Sequence, residues 1–296
     1  MKKRAFLFVI IAGLFWGTTG IFSSLLGKYG LTGMETTFVR GLVSVVFVLL
    51  YALIFQRKAF RISLFELVMF FFVGIALFGA SASYFFAIPR TSVSTAVILM
   101  YTAPVMVSIV SLLFLGEKFS PLKIVAVAVM LLGCLFVSGV IGGFKMDGLG
   151  IFLGILSGVF YASYNSLTKI LMRRGTSPMS ATLYGFIFMV LFASFFVKPE
   201  LIFTAVKSSP LESVPLMLLI GPMTFVLPYV LYTIAMKTLP AGTASALSTM
   251  EPMAATVFSM IIFGEIPTLL SGTGILLVLL AVFLLGRAQN NESEES

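Results

Sequence analysis

The chain has 296 residues, of which 59% are hydrophobic and only 10% are charged, and its mean hydropathy is +1.13. These values exclude an ordinary soluble domain, because apolar runs of about 18 residues or more indicate membrane spans. The formal net charge of +8 comes from lysines and arginines in short segments between apolar runs. That distribution is typical of membrane topology rather than of a nucleic-acid-binding face.

The first apolar segment follows the basic start of the chain and covers residues 5–26. Its length of about 22 residues suffices to cross a hydrocarbon core of about 30 Å and exceeds the roughly 7–15 residues of a signal-peptide core. We therefore predict a retained first helix. Nine similar segments follow, and the ten predicted spans are 5–26, 34–55, 64–87, 91–115, 121–140, 148–171, 179–197, 213–236, 241–263 and 268–287.

The basic residues divide unevenly between the two sets of loops. With a cytoplasmic N-terminus, thirteen lysines and arginines face the cytoplasm and five face outside, while Arg40 lies within a span. Because cytoplasmic loops carry the excess of positive charge, we predict that both termini are cytoplasmic. The predicted parts are a cytoplasmic N-terminus (1–4), a first five-helix repeat (5–140), a second five-helix repeat (148–287) and a disordered acidic tail (288–296).

The second half of the chain repeats the first at a nearly constant offset. The aligned residues are Gly13 to Thr18 with Gly158 to Ser163 at an offset of 145, and Pro104 with Pro252 and Gly116-Glu117 with Gly264-Glu265 at an offset of 148. Each half holds five predicted helices, and an odd number inserts the second copy upside down. The sequence therefore predicts an all-α integral membrane protein with ten transmembrane helices as two inverted five-helix repeats, N-in/C-in.

Corresponding prolines interrupt the fourth and ninth predicted helices. Pro104 and Pro252 each remove an intrahelical hydrogen bond and free the carbonyl four residues earlier, at Met100 and Ser248. Such carbonyls are tolerated at mid-membrane depth only against protein or a watery cavity. We predict that the two breaks line a central substrate site. The alternative is a structural kink satisfied by neighbouring serines and threonines.

Two charged residues lie well inside predicted spans. Glu251 is roughly ten residues into the ninth helix, and Arg40 is about seven residues into the second, at depths where a charge costs about 2.5–3.5 kcal/mol. Three interpretations remain open: a structural ion pair between the two, a proton-coupling carboxylate, or a carboxylate that holds a substrate ammonium group. The first half has Ala103 in the place of Glu251, so this charge is not duplicated.

Aromatic and polar residues within the spans complete the predicted cavity, with core packing as the alternative for the aromatic rings. The predicted cavity residues are Trp16, Arg40, Tyr84, Tyr101, Thr102, Pro104, Tyr161, Asn165, Tyr232, Thr249, Glu251 and Pro252. The helix-end motifs Gly116-Glu117 and Gly264-Glu265 are predicted to terminate helices and supply gating contacts. Glycines at four-residue spacing, such as Gly13 and Gly17, predict close helix crossings.

Several enzyme classes are excluded by residue counts. The chain has no histidine, Asp147 is its single aspartate and Cys134 its single cysteine. These counts remove histidine-dependent hydrolysis, an aspartyl dyad and an intrachain disulfide. A Ser–Lys dyad would need Lys169 beside a buried serine such as Ser163 or Ser166. No phosphate-binding loop occurs, and we predict no catalytic residues, no metal and no cofactor.

The duplicated motifs resemble those of the EamA-type branch of the drug/metabolite transporter superfamily. The residues that carry the resemblance are 96–104 with Phe114-Leu115-Gly116-Glu117, their repeat at 244–252 with Phe263-Gly264-Glu265, and Phe15-Trp16-Gly17 in the first helix. The resemblance implies an inner-membrane carrier for metabolites such as amino acids, working by alternating access around a cavity lined by helices 1, 3, 4, 6, 8 and 9. The tenth helix departs from it, with no clear counterpart of Leu132-Gly133.

We therefore predict a multi-pass bacterial inner-membrane protein that exports a small organic metabolite, an amino acid or a related compound, as a secondary transporter. The alternative function is proton-coupled efflux of multiple drugs or cationic compounds, and a channel or a membrane sensor is less favoured. The expected partners are a small-molecule substrate and the lipid bilayer, with protons as a candidate coupling ion and no nucleic acid.

Overall fold

The computed structural model describes residues 2–117, 120–137, 147–264 and 268–294, and every regular element within these ranges is a helix. Eight helical segments in this part of the chain are long and apolar enough to cross a membrane. Two shorter apolar helices, Pro121–Val137 and Pro178–Ala193, correspond to the fifth and seventh predicted spans. The other eight predicted spans each coincide with one of the longer segments.

Fifteen α-helices occur in the described residues, because several predicted spans consist of two helices. They are α1 (Lys2–Gly17), α2 (Thr19–Gly27), α3 (Gly33–Phe55), α4 (Leu64–Ala87), α5 (Val93–Met100), α6 (Ala103–Phe114), α7 (Pro121–Val137), α8 (Gly148–Arg173), α9 (Pro178–Ala193), α10 (Pro199–Ser208), α11 (Pro210–Gly221), α12 (Leu227–Ala235), α13 (Ala241–Ser248), α14 (Glu251–Phe263) and α15 (Leu269–Glu294). A π-helical turn, Pro222–Val226, joins α11 to α12.

The predicted helix breaks at Pro104 and Pro252 are present. Each proline is the second residue of a new helix, α6 or α14, where its missing N–H removes no bond from that helix. The residues just before each new helix, Thr102 and Met250, keep right-handed helical dihedral angles, whereas Tyr101 and Thr249 have ψ angles of 7° and 4°. The span is therefore interrupted rather than ended.

Glycines allow close contact where α1 and α8 cross the interrupted spans. A Cβ atom at Gly158 of α8 would lie 3.1 Å from the carbonyl oxygen of Leu99, and one at Gly13 of α1 would lie 2.6 Å from Met250 Cγ. A Cβ atom at Gly17 would lie 2.6 Å from that of Ala254. These distances leave no room for a side chain and confirm the predicted tight crossings.

Inter-helix contacts assign the loops to two ends of the molecule. At one end, Ser180 Oγ, at the start of α9, donates to the carbonyl of Ala59, between α3 and α4 (2.9 Å). At the opposite end, Tyr29 donates a 2.6 Å hydrogen bond to the carboxylate of Glu212, and this contact raises the pKa of the Tyr29 phenol above its ordinary value. The backbone N–H of Lys198 donates to Glu35 at that same end (3.0 Å).

The tail predicted to be disordered from residue 288 is instead helical as far as Glu294 in α15. The physical reason is that no glycine or proline follows Arg287, so nothing in the sequence stops the helix. The stretch between the seventh and eighth predicted spans contains a further helix, α10. Pro199 at its first turn and Lys207 in its last turn are ordinary helix-end signals, and Ala205 packs into an apolar cluster.

Candidate functional site

The two interrupted spans face each other in the centre of the bundle, where α6 packs against α13. Glu251 is the first residue of α14, at the break of the ninth span. An acidic residue is favoured at that position, because the partial positive charge of a helix N-terminus stabilises an anion. The break therefore supplies a favourable location for a charge in the middle of an apolar segment.

Arg40 lies on α3, within electrostatic range of Glu251. Both residues fall in the part of the chain that the structure describes, and no direct ion pair forms between them. The guanidinium carbon lies 4.2 Å from the ring centroid of Phe225, and the buried Nε atom has no hydrogen-bond partner. The guanidinium is thus held by stacking on an aromatic ring, with hydrogen-bonding capacity unused.

Four tyrosines surround the two charges and lie within electrostatic range of Glu251: Tyr84, Tyr101, Tyr161 and Tyr229. Tyr101 is buried, whereas the other three are half-buried, as are Arg40 and Glu251. These four tyrosines lie within electrostatic range of Glu251, as Arg40 does. We call Arg40, Glu251 and the four tyrosines the central site.

A second layer holds the tyrosines in place. The indole of Trp16 contacts Tyr229 and Tyr232 edge-on, with ring centroids 5.2 and 5.4 Å apart. Tyr232 donates its hydroxyl hydrogen to Asn165 Oδ1, and Asn165 Nδ2 donates to the carbonyl of Tyr161 (2.7 Å). Asn165 and Tyr232 have no exposed surface, so they orient their neighbours and are not themselves part of the central site.

Hydroxyl groups at the breaks bond mainly to their own helices. Thr102 Oγ1 and Thr249 Oγ1 each donate 2.7 Å bonds to the carbonyl three residues earlier. The acceptors are Leu99 and Ala246 and not the carbonyls of Met100 and Ser248 that the prolines free, so these bonds do not supply the partners that the kink alternative requires. Tyr161 also reaches one break, since its hydroxyl lies 3.3 Å from Ser248 Oγ. Thr249 is fully buried and its carbonyl accepts from Cys134 Sγ (3.1 Å).

Glu117, just after α6, is the centre of a buried polar cluster at the end where Ala59 and Ser180 meet. Both of its carboxylate oxygens accept from the backbone N–H of Ala241, the first residue of α13, at 2.9 and 3.1 Å. Arg173 Nη2 lies 3.3 Å and Lys169 Nζ 4.0 Å from Glu117 Oε1. The Glu117 carboxylate thus caps α13 and pairs with two cations of α8.

Lys169 extends this cluster toward α12. It is 5% exposed, and its ammonium group donates to the carbonyl of Met236 (2.9 Å) and to that of Leu239, just beyond the end of α12. Arg173 donates to the carbonyl of Leu115. We call Glu117, Lys169 and Arg173 the latch, because together they join the end of α6 to α8, α12 and α13.

Of the two Gly-Glu motifs, only the first lies entirely within the described residues. Gly116 and Gly264 follow α6 and α14 with φ angles of 61° and 68°, the left-handed conformation that glycine adopts at helix ends. Glu117 makes the latch contacts, whereas Glu265 lies outside the described residues.

The predicted set of cavity residues leaves out Tyr229 and Phe225, and it leaves out Lys169, which the sequence indicates only as a candidate for a disfavoured catalytic dyad. The four-residue spacing of Tyr161, Asn165, Lys169 and Arg173 was the available signal, because it places four polar groups on one face of α8. No comparable signal marked Phe225, whose role depends on facing Arg40 of another helix.

Comparison with known proteins identifies the family. The model of the EamA-like transporter family matches residues 3–139 and again residues 148–287. The chain belongs to the EamA-like transporter family. It is therefore a multi-pass membrane transporter, and the two matches coincide with the predicted repeats.

Three relatives are each described as an uncharacterized transporter. The chain is 30% identical to one from Archaeoglobus fulgidus over 73% of this chain and 76% of the relative. It is 25% identical to one from Clostridium kluyveri (89% and 86%) and 24% identical to YwfM from Bacillus subtilis (97% and 95%). A solved crystal structure superposes with a TM-score of 0.79 at 16% identity, covering 96% of each chain, which shows a shared fold.

Proposed function

We propose that this protein is a secondary transporter for a small zwitterionic metabolite, an amino acid or a related compound, bound at the central site. The observation that carries the proposal is the pair Arg40 and Glu251, opposite charges within electrostatic range of each other that form no direct ion pair. A substrate carboxylate would pair with the guanidinium and a substrate ammonium group with Glu251. The cost of two intramembrane charges is offset when a ligand of complementary charges binds between them.

Alternating access has support in the pattern of helix contacts. α1 packs on α12 and on the ninth span, and α8 packs on α4 and on the fourth span, as two inverted repeats about a pseudo-twofold axis would require. The glycine contacts follow the same rule, since Gly13 meets the carbonyl of Leu247 and Gly158 meets that of Leu99. Ten membrane crossings with both termini cytoplasmic are part of this proposal.

The latch would be the gate at one end. Its carboxylate and ammonium groups are almost completely buried, whereas the ion pair of Arg90 with Asp147 at the other end has side chains 46% and 40% exposed. The end that carries the latch also carries the excess of basic residues, which favours a cytoplasmic location. Export would then require the latch to open for loading and to close, as it is here, for release outside.

A metabolite comparison followed by counterflow tests the proposed substrate class. Cells that overproduce the wild type should accumulate one class of zwitterion in the medium, and cells that produce Arg40→Ala at equal abundance should not. Purified wild-type protein in proteoliposomes should then exchange that compound and show trans-stimulation. Arg90→Ala is the matched control, because it removes an exposed arginine of the surface ion pair with Asp147, away from the central site. Transport of organic cations by both arginine variants would favour the cation-efflux alternative instead.

A further inference from the structure

A small enclosed cavity lies beside the central site, among α4, α8, α9 and α12. The volume that the centre of a water molecule can occupy in this cavity is about 10 Å³, which is enough for a single water molecule. The lining residues are Val73, Leu77, Tyr164, Thr168, Ala181, Thr182, Phe186, Tyr229 and Thr233. Five of the lining side chains carry a hydroxyl group: Tyr164, Thr168, Thr182, Tyr229 and Thr233. The other four are apolar.

Two of the hydroxyl groups are buried without a hydrogen-bond partner: those of Tyr164 and Thr182. The residues are 3% and 5% exposed, so solvent outside the protein does not reach them. Buried polar groups in folded proteins are almost always hydrogen bonded to protein or to ordered water. Thr168 and Thr233 interact with the Tyr164 hydroxyl, but at a geometry that falls short of a full hydrogen bond.

We propose that this cavity binds one permanent water molecule that hydrogen bonds to both Tyr164 Oη and Thr182 Oγ1. Thr168 and Thr233 would provide the remaining partners, and about three hydrogen bonds are usual for a buried water molecule. A neutral ligand fits better than a cation, because the lining contains hydroxyl groups and no carboxylate. A water molecule can donate to one hydroxyl and accept from another, which satisfies both orphaned groups together.

The location of this water molecule between three helices would give it a structural role. Its hydroxyl partners come from α8, α9 and α12, all in the second family match, while α4 contributes only Val73 and Leu77. Tyr229, which belongs to the central site, also borders this cavity, and its ring lies 5.5 Å from that of Tyr164. The water would therefore tie together the three helices that hold Tyr229 beside Arg40.

The sign of a stability change distinguishes a filled cavity from an empty one. With water bound, Tyr164→Phe and Thr182→Val each remove a partner of that water, so each should lower the melting temperature of the purified protein by about 2–4 °C. The double variant should lose less than the sum of the two, because the bridge is broken by either change. With an empty cavity, each variant removes only an unsatisfied hydroxyl, so the melting temperature should stay or rise and the effects should add.

Thr37→Val is the matched control. Thr37 is 1% exposed, its hydroxyl is also unpaired, and it occupies the place of Thr182 at the offset of 145 residues, yet it does not border this cavity. The same chemical change there should not lower the melting temperature.

A direct measurement covers the case in which a variant does not fold. Radiolytic hydroxyl-radical labelling of the wild type should modify Tyr164 despite its burial, because a water bound beside it generates the radical in place. A high-resolution density map should show a peak within hydrogen-bonding distance of Tyr164 Oη and Thr182 Oγ1. An unlabelled Tyr164 together with an empty cavity in the map would overturn the proposal.

Discussion

Arg40 and Glu251 show how single residues shape this protein. Each is charged within an apolar segment and forms no direct ion pair with the other. Arg40 stacks on the ring of Phe225, and Glu251 is the first residue of α14. Because neither is neutralised by a direct partner, both retain capacity to bind a ligand.

Substitution of Glu251 tests its role in coupling. If the carboxylate takes up and releases the coupling proton, Glu251→Gln should abolish the dependence of transport on a pH gradient while substrate exchange continues. The measurement is uptake into proteoliposomes with and without an imposed gradient, over a range of pH. Glu212→Gln is a control, since that carboxylate accepts a hydrogen bond from the half-buried Tyr29 away from the centre. Unchanged rate and pH dependence in Glu251→Gln would discard proton coupling through this residue.

At the scale of helices, the decisive features are the breaks and the capping of α13. Each interrupted span gives up backbone hydrogen bonds and gains a site where polar groups meet mid-membrane. The first N–H group of α13 has no partner within its own helix, and the Glu117 carboxylate of the latch accepts a hydrogen bond from it.

Removal of the latch carboxylate should destabilise the protein. Glu117→Ala leaves Lys169 buried beside two carbonyls without its acidic partner, and breaking a buried ion pair typically costs about 3–5 kcal/mol. We expect a clear fall in melting temperature, partly recovered in Glu117→Ala combined with Lys169→Met. Asp147→Ala, in the exposed ion pair with Arg90, should change it little. A fall of equal size in both single variants would contradict a special role for the latch.

Replacement of the proline at a helix break should have opposite effects on stability and on transport. Pro252→Ala supplies an N–H group that the Ser248 carbonyl can accept, so α13 and α14 can join into one helix and the melting temperature should stay or rise. Transport turnover should fall if the break is a moving part. Pro178→Ala is the control and should affect neither, because Pro178 begins α9 after an extended residue and interrupts no span. Full turnover in Pro252→Ala would mean that the break is only a structural kink.

For the molecule as a whole, the arrangement of loops at two ends makes a topology prediction. In a Cys134→Ala background, cysteine at Arg57 or Arg174 should resist a membrane-impermeant maleimide in intact cells, and cysteine at Lys28 or Lys198 should react. The expected pattern follows from cytoplasmic termini and an even number of crossings. Reaction of Arg57→Cys and Lys28→Cys alike would contradict the proposed orientation, while permeabilised cells control for buried sites.

Particular residues show how far prediction from sequence reached. Pro104 and Pro252 predicted the breaks because a proline acts through its own backbone, wherever the helix packs. Gly13 and Gly158 predicted close crossings because small residues permit them. The π-helical turn before α12 and the continuation of α15 to Glu294 were missed, since local backbone adjustments and helix ends leave weak signals.

Hydropathy and the duplicated Gly-Glu and proline motifs by themselves determined the class of protein, its helical character and its repeat. These properties are local or periodic along the chain, so they can be recognised from the amino-acid sequence alone. Only the tertiary structure decided that Phe225 lies beneath Arg40, that Glu117 pairs with Lys169 and Arg173, and that Tyr164 and Thr182 share a cavity. Such contacts depend on how each helix is rotated and on which helices are its neighbours. In a membrane, both are set by the packing of one helix against another and not by amino-acid composition, because the lipid around the helices is as apolar as their side chains.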